Sequence, residues 1–201
     1  MSTLIAESQS LKFPLRHRWT VAEYHRMAEV GLLNEDSRVE LIDGEIIEMA
    51  PIGSPHGGEV KYLNNKLVSA LHDKVIVSVQ DPIVLGDHEE PQPDIALLRW
   101  RDDYYTIAHP HAEDILLIIE VSDSTLRYDR DVKVPLYAKN GIPEVWLLDI
   151  QNRQLEIYRE PRNGAYQQRR SQCTGKIAPI LCPDAVIDLT ELFPNSSLNP
   201  A

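Results

Sequence analysis

Two apolar runs constrain this chain most, Ile95-Ala96-Leu97-Leu98 and Ile115-Leu116-Leu117-Ile118-Ile119. Each is far shorter than the roughly 20 residues of a membrane helix and reads as a buried strand. An acid marks each run: Pro93-Asp94 heads the first, and Glu120 follows the second. A carboxylate against a buried strand is costly unless a cation or hydrogen-bond donors compensate it. Two such acids suggest a divalent metal.

The surrounding pattern supplies a frame for that pair. Thr20 with Glu23 is a capping-box signal for a short helix to about Val30, which Gly31 ends. Strand-like stretches at 38–42 and 45–49 flank Asp43-Gly44, a favoured tight hairpin turn. Ser54 as N-cap and Pro55 in the first turn precede Val60, Leu63, Leu67, Val68 and Leu71, one helical face running to about Asp73. Strands are expected at 75–79, 82–85, 95–98 and 115–121, separated by polar, Pro-containing loops. A helix over 129–140 presents Val132, Leu136, Tyr137 and Asn140 near one side, with Gly141 as its stop. Strands at 144–150 and 154–159 follow, joined by a turn at 151–153, and edge strands at 165–170 and 186–189 close the chain. Strand, helix, strand around the acids predicts an α/β fold with a mixed sheet and a crossover helix. A loosely ordered arm at 1–18, one domain at 19–193 and a short polar tail at 194–201 are the expected divisions, without internal repeats or a low-complexity linker.

Composition narrows the classes. A chain of 201 residues with 43% apolar and 25% charged residues can bury a single core. No apolar run is long enough to span a membrane, and no basic start with an apolar core marks a secretory signal, so the cytoplasm is the expected compartment. Cys173 and Cys182 stand without a second pair or a His cluster and read as reduced thiols. The net charge of −11 and pI near 5.0 exclude a protein that coats nucleic acid by bulk electrostatics. They weigh less against a metal-dependent enzyme, whose bound cation neutralises phosphate with help from Arg99, Arg101, Arg127, Arg130 or Lys133.

Carboxylates on neighbouring strands at Asp94 and Glu120 can hold Mg²⁺ or Mn²⁺ with waters and a backbone carbonyl. Lys133 is the candidate cation for a nucleophile or phosphate; four residues from Tyr137, it shares a helical face that can point toward Glu120. Each residue has a plainer reading. Asp94 can cap a loop, Glu120 can pair with Arg127 or Arg130, Glu40 in an alternating strand can face solvent, and Lys133 can lie on a helix surface. His56 can meet a phosphate at a helix N-terminus or simply neighbour the cap. Asp149 reads as structural, and Asp87-His88-Glu89-Glu90 as a solvated loop before Pro91.

A longer set of blocks carries a resemblance: Val39-Glu40-Leu41-Ile42-Asp43-Gly44-Glu45-Ile46, Ser54-Pro55-His56, Gln92-Pro93-Asp94, Ile119-Glu120-Val121-Ser122, Tyr128-Asp129-Arg130-Asp131-Val132-Lys133, and the stretch from Tyr137 to Asp149. In this order they resemble the bacterial family described as "putative restriction endonuclease" within the PD-(D/E)XK nuclease superfamily, over roughly residues 20–193. The resemblance implies a restriction-endonuclease-like mixed sheet flanked by helices, here with an added N-terminal helix and β-hairpin. It also implies a metal-dependent phosphodiesterase site. On this chain Asp94 is the motif aspartate, Glu120 and the Val121 backbone are further metal ligands, and Glu40 is the preceding acid. The superfamily pattern places Lys two residues after the glutamate, where this chain has Ser122; in the resembling family the role moves to the following helix, here Lys133. His56, Ser122 and Tyr137 are possible accessory residues.

The expected function is a Mg²⁺-dependent endonuclease, with Mn²⁺ as substitute, acting on nucleic acid, DNA above RNA. A homodimer would let two sites address two strands. The rivals are a non-catalytic, metal-binding regulatory protein that keeps the fold, favoured by Ser122 and the acidic charge, and a hydrolase of a small phosphorylated compound.

Overall fold

The computed structural model describes residues 16–34 and 36–193, so the expected tail and most of the expected arm lie outside the described residues. Helix α1 (Val21–Glu29) opens on the capping box, with Glu23 N donating to Thr20 Oγ1 at 3.2 Å and Thr20 N to Glu23 Oε2 at 2.9 Å. Strands β1 (Val39–Ile42) and β2 (Glu45–Glu48) pair antiparallel about Asp43 and Gly44, whose φ of 50° and 76° meet the left-handed demand of a two-residue turn. Helix α2 (Ser54–Leu71) buries Val60, Leu63, Leu67 and Leu71. Its N-cap is Gly53 rather than Ser54, because Pro55 fits anywhere in a first turn whose N–H groups lack partners and so does not fix the start.

The central sheet runs β3 (Val75–Val79), β4 (Ile95–Arg99), β5 (Ile115–Ser122), β6 (Glu144–Asp149), β7 (Gln154–Arg162) and β8 (Ala165–Gln172), in that spatial order. The β5–β6 pair is parallel and the other neighbours are antiparallel. Between them the chain crosses over through α3 (Leu126–Tyr128), a π-turn (Asp129–Lys133) and α4 (Val134–Lys139). This helical stretch starts three residues before the expected 129 and is not one regular helix. Val134 N donates to Asp129 O across five residues, and the widened turn changes which side chains face inward. Val132 is left partly exposed while Lys133, Val134 and Tyr137 are buried.

Period-two alternation divides the core. Ile95, Leu97, Leu117, Ile119 and Val121 join the α2 face with Leu63 and Leu67, whereas Ala96, Leu98, Ile118 and Leu147 join the α4 face with Val134 and Tyr137. Glu120 shares the parity of Ile118 and therefore points to the α4 side.

Three further expectations fail. The segment 82–85 does not enter the sheet: Gln80 turns off at φ 55°, Pro82 offers no N–H, and Ile83 N and Leu85 N bond Pro91 O and Glu89 O instead. At 186–189, β10 (Ile187–Asp188) pairs only with β9 (Lys176–Ile177), and Asp188 caps α5 (Leu189–Leu192) by accepting from Thr190 N. The stretch 87–90 is no solvated loop, since Glu89 and Glu90 are buried. Backbone bonds between Leu41 and Glu90, at 3.2 and 2.8 Å, draw it against the hairpin. Among the described residues no helix is long and apolar enough to cross a membrane.

Candidate active site

Sheet register assembles the site. Ile95 faces Ile119 across the antiparallel β4–β5 pair, which sets Asp94, just before β4, beside Glu120 and Val121 at the carboxyl end of β5. Asp94 N donates to Glu120 Oε2 at 3.4 Å, and Val121 N donates to Asp94 Oδ2 at 2.8 Å. From the hairpin, Glu40 turns inward and accepts from Gln92 N at 3.2 Å. From the crossover, the Lys133 ammonium stands 3.1 Å from Glu40 Oε2 and 3.1 Å from Glu120 Oε1, while Tyr137 Oη donates to the same Glu120 oxygen. His56, in the first turns of α2, places Nε2 3.1 Å from the Asp94 carboxylate, and Gln80 Nε2 donates to Asp94 Oδ1 at 3.2 Å.

A cleft of about 840 Å³ opens over this cluster, walled by Arg38, Glu40, His56, Gln92, Asp94 and Tyr128 among others. Asp94 meets the cleft directly; Glu120 and Lys133 lie beneath its floor, each about 95% or more buried. Ser122 is fully buried and does not reach the cleft. Its hydroxyl donates to Asp129 Oδ2 at 2.6 Å, as does that of Thr125.

Burial pushes Glu120 up to about 8, with Asp129 and Asp94 adding to the rise and Lys133 and the Tyr137 hydroxyl opposing it. On Lys133 burial acts against the charge, but the Glu120 and Glu40 carboxylates outweigh it and hold the ammonium strongly protonated. The hydrogen bond to Asp94 raises His56, against its partial burial. The result is a crowd of four carboxylates, Glu40, Asp94, Glu120 and Asp129, around one buried ammonium and one imidazole.

The donor set fits a hard divalent ion. Such an ion takes one or two carboxylates, waters and phosphate oxygens, and Asp94 with Glu120 supplies the carboxylates. Glu120 Oε2 accepts only a long bond from Asp94 N, beyond the usual 2.7–3.2 Å range, so a buried carboxylate oxygen is under-satisfied beside the cleft. Two more buried polar atoms of cleft-lining residues, His56 Nδ1 and Tyr128 Oη, have no hydrogen-bond partner among the described residues. Buried polar atoms without a protein partner are rare and are usually met by a water or an ion.

Several groups escaped the sequence reading. Asp129 carried a signal, an acid four residues after Thr125 and seven after Ser122, but pairing it with them required the crossover to begin before 129. Arg38 and Gln80 gave none, because each reaches the cleft from irregular backbone, while Gln92 and Tyr128 stood in the resembling blocks without a role assigned to them. Of the basic residues expected to assist, Arg101 pairs with Asp103, Arg99 Nε bonds Glu113 O, and Arg130 is held by Glu156, so these three are engaged elsewhere.

The sequence profile of the Uma2 family, described as "Putative restriction endonuclease", matches residues 21–200. Among solved structures, a protein of Anabaena variabilis titled "a putative nuclease belonging to DUF820" superposes with a TM-score of 0.68 at 19% identity, covering 87% of this chain and 97% of that one. That likeness establishes the fold. No curated protein sequence matches this chain.

Proposed function

This chain belongs to the Uma2 family, and from that premise we propose that its cleft is the active site of a metal-dependent nuclease hydrolysing phosphodiester bonds, DNA being the first substrate to test. The observation that carries the reading is the buried surplus of carboxylate around Asp94 and Glu120 beneath an open cleft with unpartnered donors. Asp94, Glu120 and the Val121 carbonyl would hold Mg²⁺ or Mn²⁺. When bound, such an ion polarises a phosphate and lowers the pKa of a water.

The chain's own groups do the rest. Lys133 fixes the Glu120 carboxylate from one side, and Tyr137 bonds the same oxygen, so Glu120 Oε2 stays turned toward Asp94. Glu40 anchors the segment that ends in Asp94 by accepting from Gln92 N. Asp129, steadied by Ser122 and Thr125, keeps negative potential at the cleft edge. His56 is held against Asp94 through Nε2, and its buried Nδ1 and the buried Tyr128 Oη would meet phosphate oxygens once a bound substrate displaces the groups that cover them. Arg38 on the exposed rim is the cation placed to meet an incoming phosphate backbone.

The test is cleavage of supercoiled plasmid and of single-stranded DNA in Mg²⁺ or Mn²⁺, with Asp94→Asn purified identically. Metal-dependent cleavage absent from the variant supports the proposal. Equal cleavage by both proteins removes the Asp94 site as its source, and no cleavage by either, with metal still bound, favours the regulatory reading.

A further inference from the structure

A second cluster lies outside the nuclease cleft. His25 on α1, Glu90 beside the hairpin and His109 before β5 bring one ligand atom each within 4.8 Å of one another. Glu90 is buried, whereas His25 and His109 reach the surface. His25 Nε2 stands 2.6 Å from Glu90 Oε2, and the two imidazole rings are 6.0 Å apart, centroid to centroid.

We propose that His25, Glu90 and His109 form a binding site for a Zn²⁺-class transition metal, with water as fourth ligand. Two imidazoles and one carboxylate suit Zn²⁺ and disfavour Mg²⁺, which prefers oxygen donors. A three-residue set with an open position is a common zinc arrangement.

The backbone holds the three residues in place. Val21 N, at the head of α1, donates to Asp87 O at 2.7 Å, so the helix carrying His25 is tied to the turn before Glu90. Glu90 exchanges two main-chain bonds with Leu41. Next to His109, Pro110 O accepts from Val84 N at 2.9 Å, and Ile83 N in turn bonds Pro91 O. Three separate segments thus converge through hydrogen bonds that do not use the ligating atoms. Ligands of a tetrahedral zinc ion lie roughly 3.3 Å apart, so His25 and Glu90 would separate slightly from their 2.6 Å contact and His109 would close on them from within 4.8 Å, movements that the exposed imidazoles allow.

Burial is also better met with a cation present. Desolvation raises the pKa of Glu90, and the neighbouring His25 and His109 only partly offset it. A bound divalent ion would compensate a buried carboxylate that otherwise relies on a half-exposed imidazole. The metal would brace the segment 89–94: Leu41, the partner of Glu90, adjoins Glu40, and Gln92 bonds Glu40.

The test is a Zn²⁺ titration of chelator-stripped protein against a chromogenic competitor, with His25→Ala, His109→Ala, Glu90→Gln and Asp94→Asn in parallel. The expected result is one tight Zn²⁺ per chain, retained in Asp94→Asn. Each of the other three variants should weaken it at least about tenfold, the loss that even a partner of a metal ligand causes. Zn²⁺ should also raise the thermal midpoint of the wild type and not that of His109→Ala, whose exposed side chain is dispensable for folding. No binding by the wild type, binding unchanged in His25→Ala and His109→Ala, or binding lost in Asp94→Asn would each overturn the proposal.

Discussion

Buried carboxylates occur in two regions of the same sheet and are compensated differently. On β6 and β7, Glu144 takes two bonds from Arg159, at 2.9 and 2.7 Å, with further donors from Trp146 Nε1 and Ile180 N. Glu156 is held by Arg130 at 2.6 Å, by Arg169 at 3.0 Å and by the Tyr158 hydroxyl. Glu144 and Glu156 thus each have at least one guanidinium of their own. At the end of β5, Glu40, Asp94, Glu120 and Asp129 share Lys133 and His56. Unequal compensation separates a structural carboxylate from one placed to receive a cation.

The largest effect that would sharpen this contrast concerns activity. Asp94→Asn and Glu120→Gln should each lower DNA cleavage by at least about a hundredfold, the scale of losing one charge-stabilising group at a reaction centre. Glu156→Gln should stay within a few-fold when assayed well below its unfolding temperature. A comparable loss in Glu156→Gln would break the distinction.

Lys133→Met comes next. It leaves Glu40 and Glu120 buried together without their ammonium, and urea unfolding without metal should show a loss of about 3–5 kcal/mol. Added Mg²⁺ should recover more stability in this variant than in the wild type, which circular dichroism melts would read directly.

A smaller effect, with a defined pH window, belongs to Glu156. Burial would raise its pKa, yet the bonds from Arg130 and Tyr158 win and lower it below the ordinary carboxylate value of 4.5. A depressed folded-state value means that its contribution is complete above 4.5 and is lost as pH falls through the folded value. Glu156→Gln should therefore be less stable than wild type at pH 7 by roughly 2 kcal/mol, with the gap narrowing below pH 4.5. A gap that widens on acidification would contradict the assignment.

The smallest change lies away from both regions. Thr20→Ala removes the α1 capping box and should cost about 1 kcal/mol in chemical denaturation while leaving cleavage unaltered.

How much of this was legible in the sequence varies with the range of the interaction. The five-residue apolar run before Glu120, the Asp43-Gly44 turn and the spacing from Val60 to Leu71 are local signals, and the elements they predict are present. The meeting of Lys133 and Tyr137 with Glu120 also followed, because a four-residue helical step survives the π-turn at this position. That turn itself was not legible, since nothing in Asp129-Arg130-Asp131-Val132-Lys133 forbids a regular helix; the inward pull on Asp129 and Lys133 decides it. Nor was the burial of Glu89 and Glu90. Their hydrophilic run looks solvated until the backbone pairing of Leu41 with Glu90, across 49 positions of sequence, brings it under the hairpin. The places of Arg38 and Gln80 depend on loop paths that no periodicity encodes.

The central claim is that the uncompensated cluster takes a divalent cation, and calorimetric titration of Mn²⁺ tests it most directly. Wild type and His109→Ala should bind Mn²⁺ alike, while Asp94→Asn should lose it. Mn²⁺ bound equally well by Asp94→Asn would contradict the account.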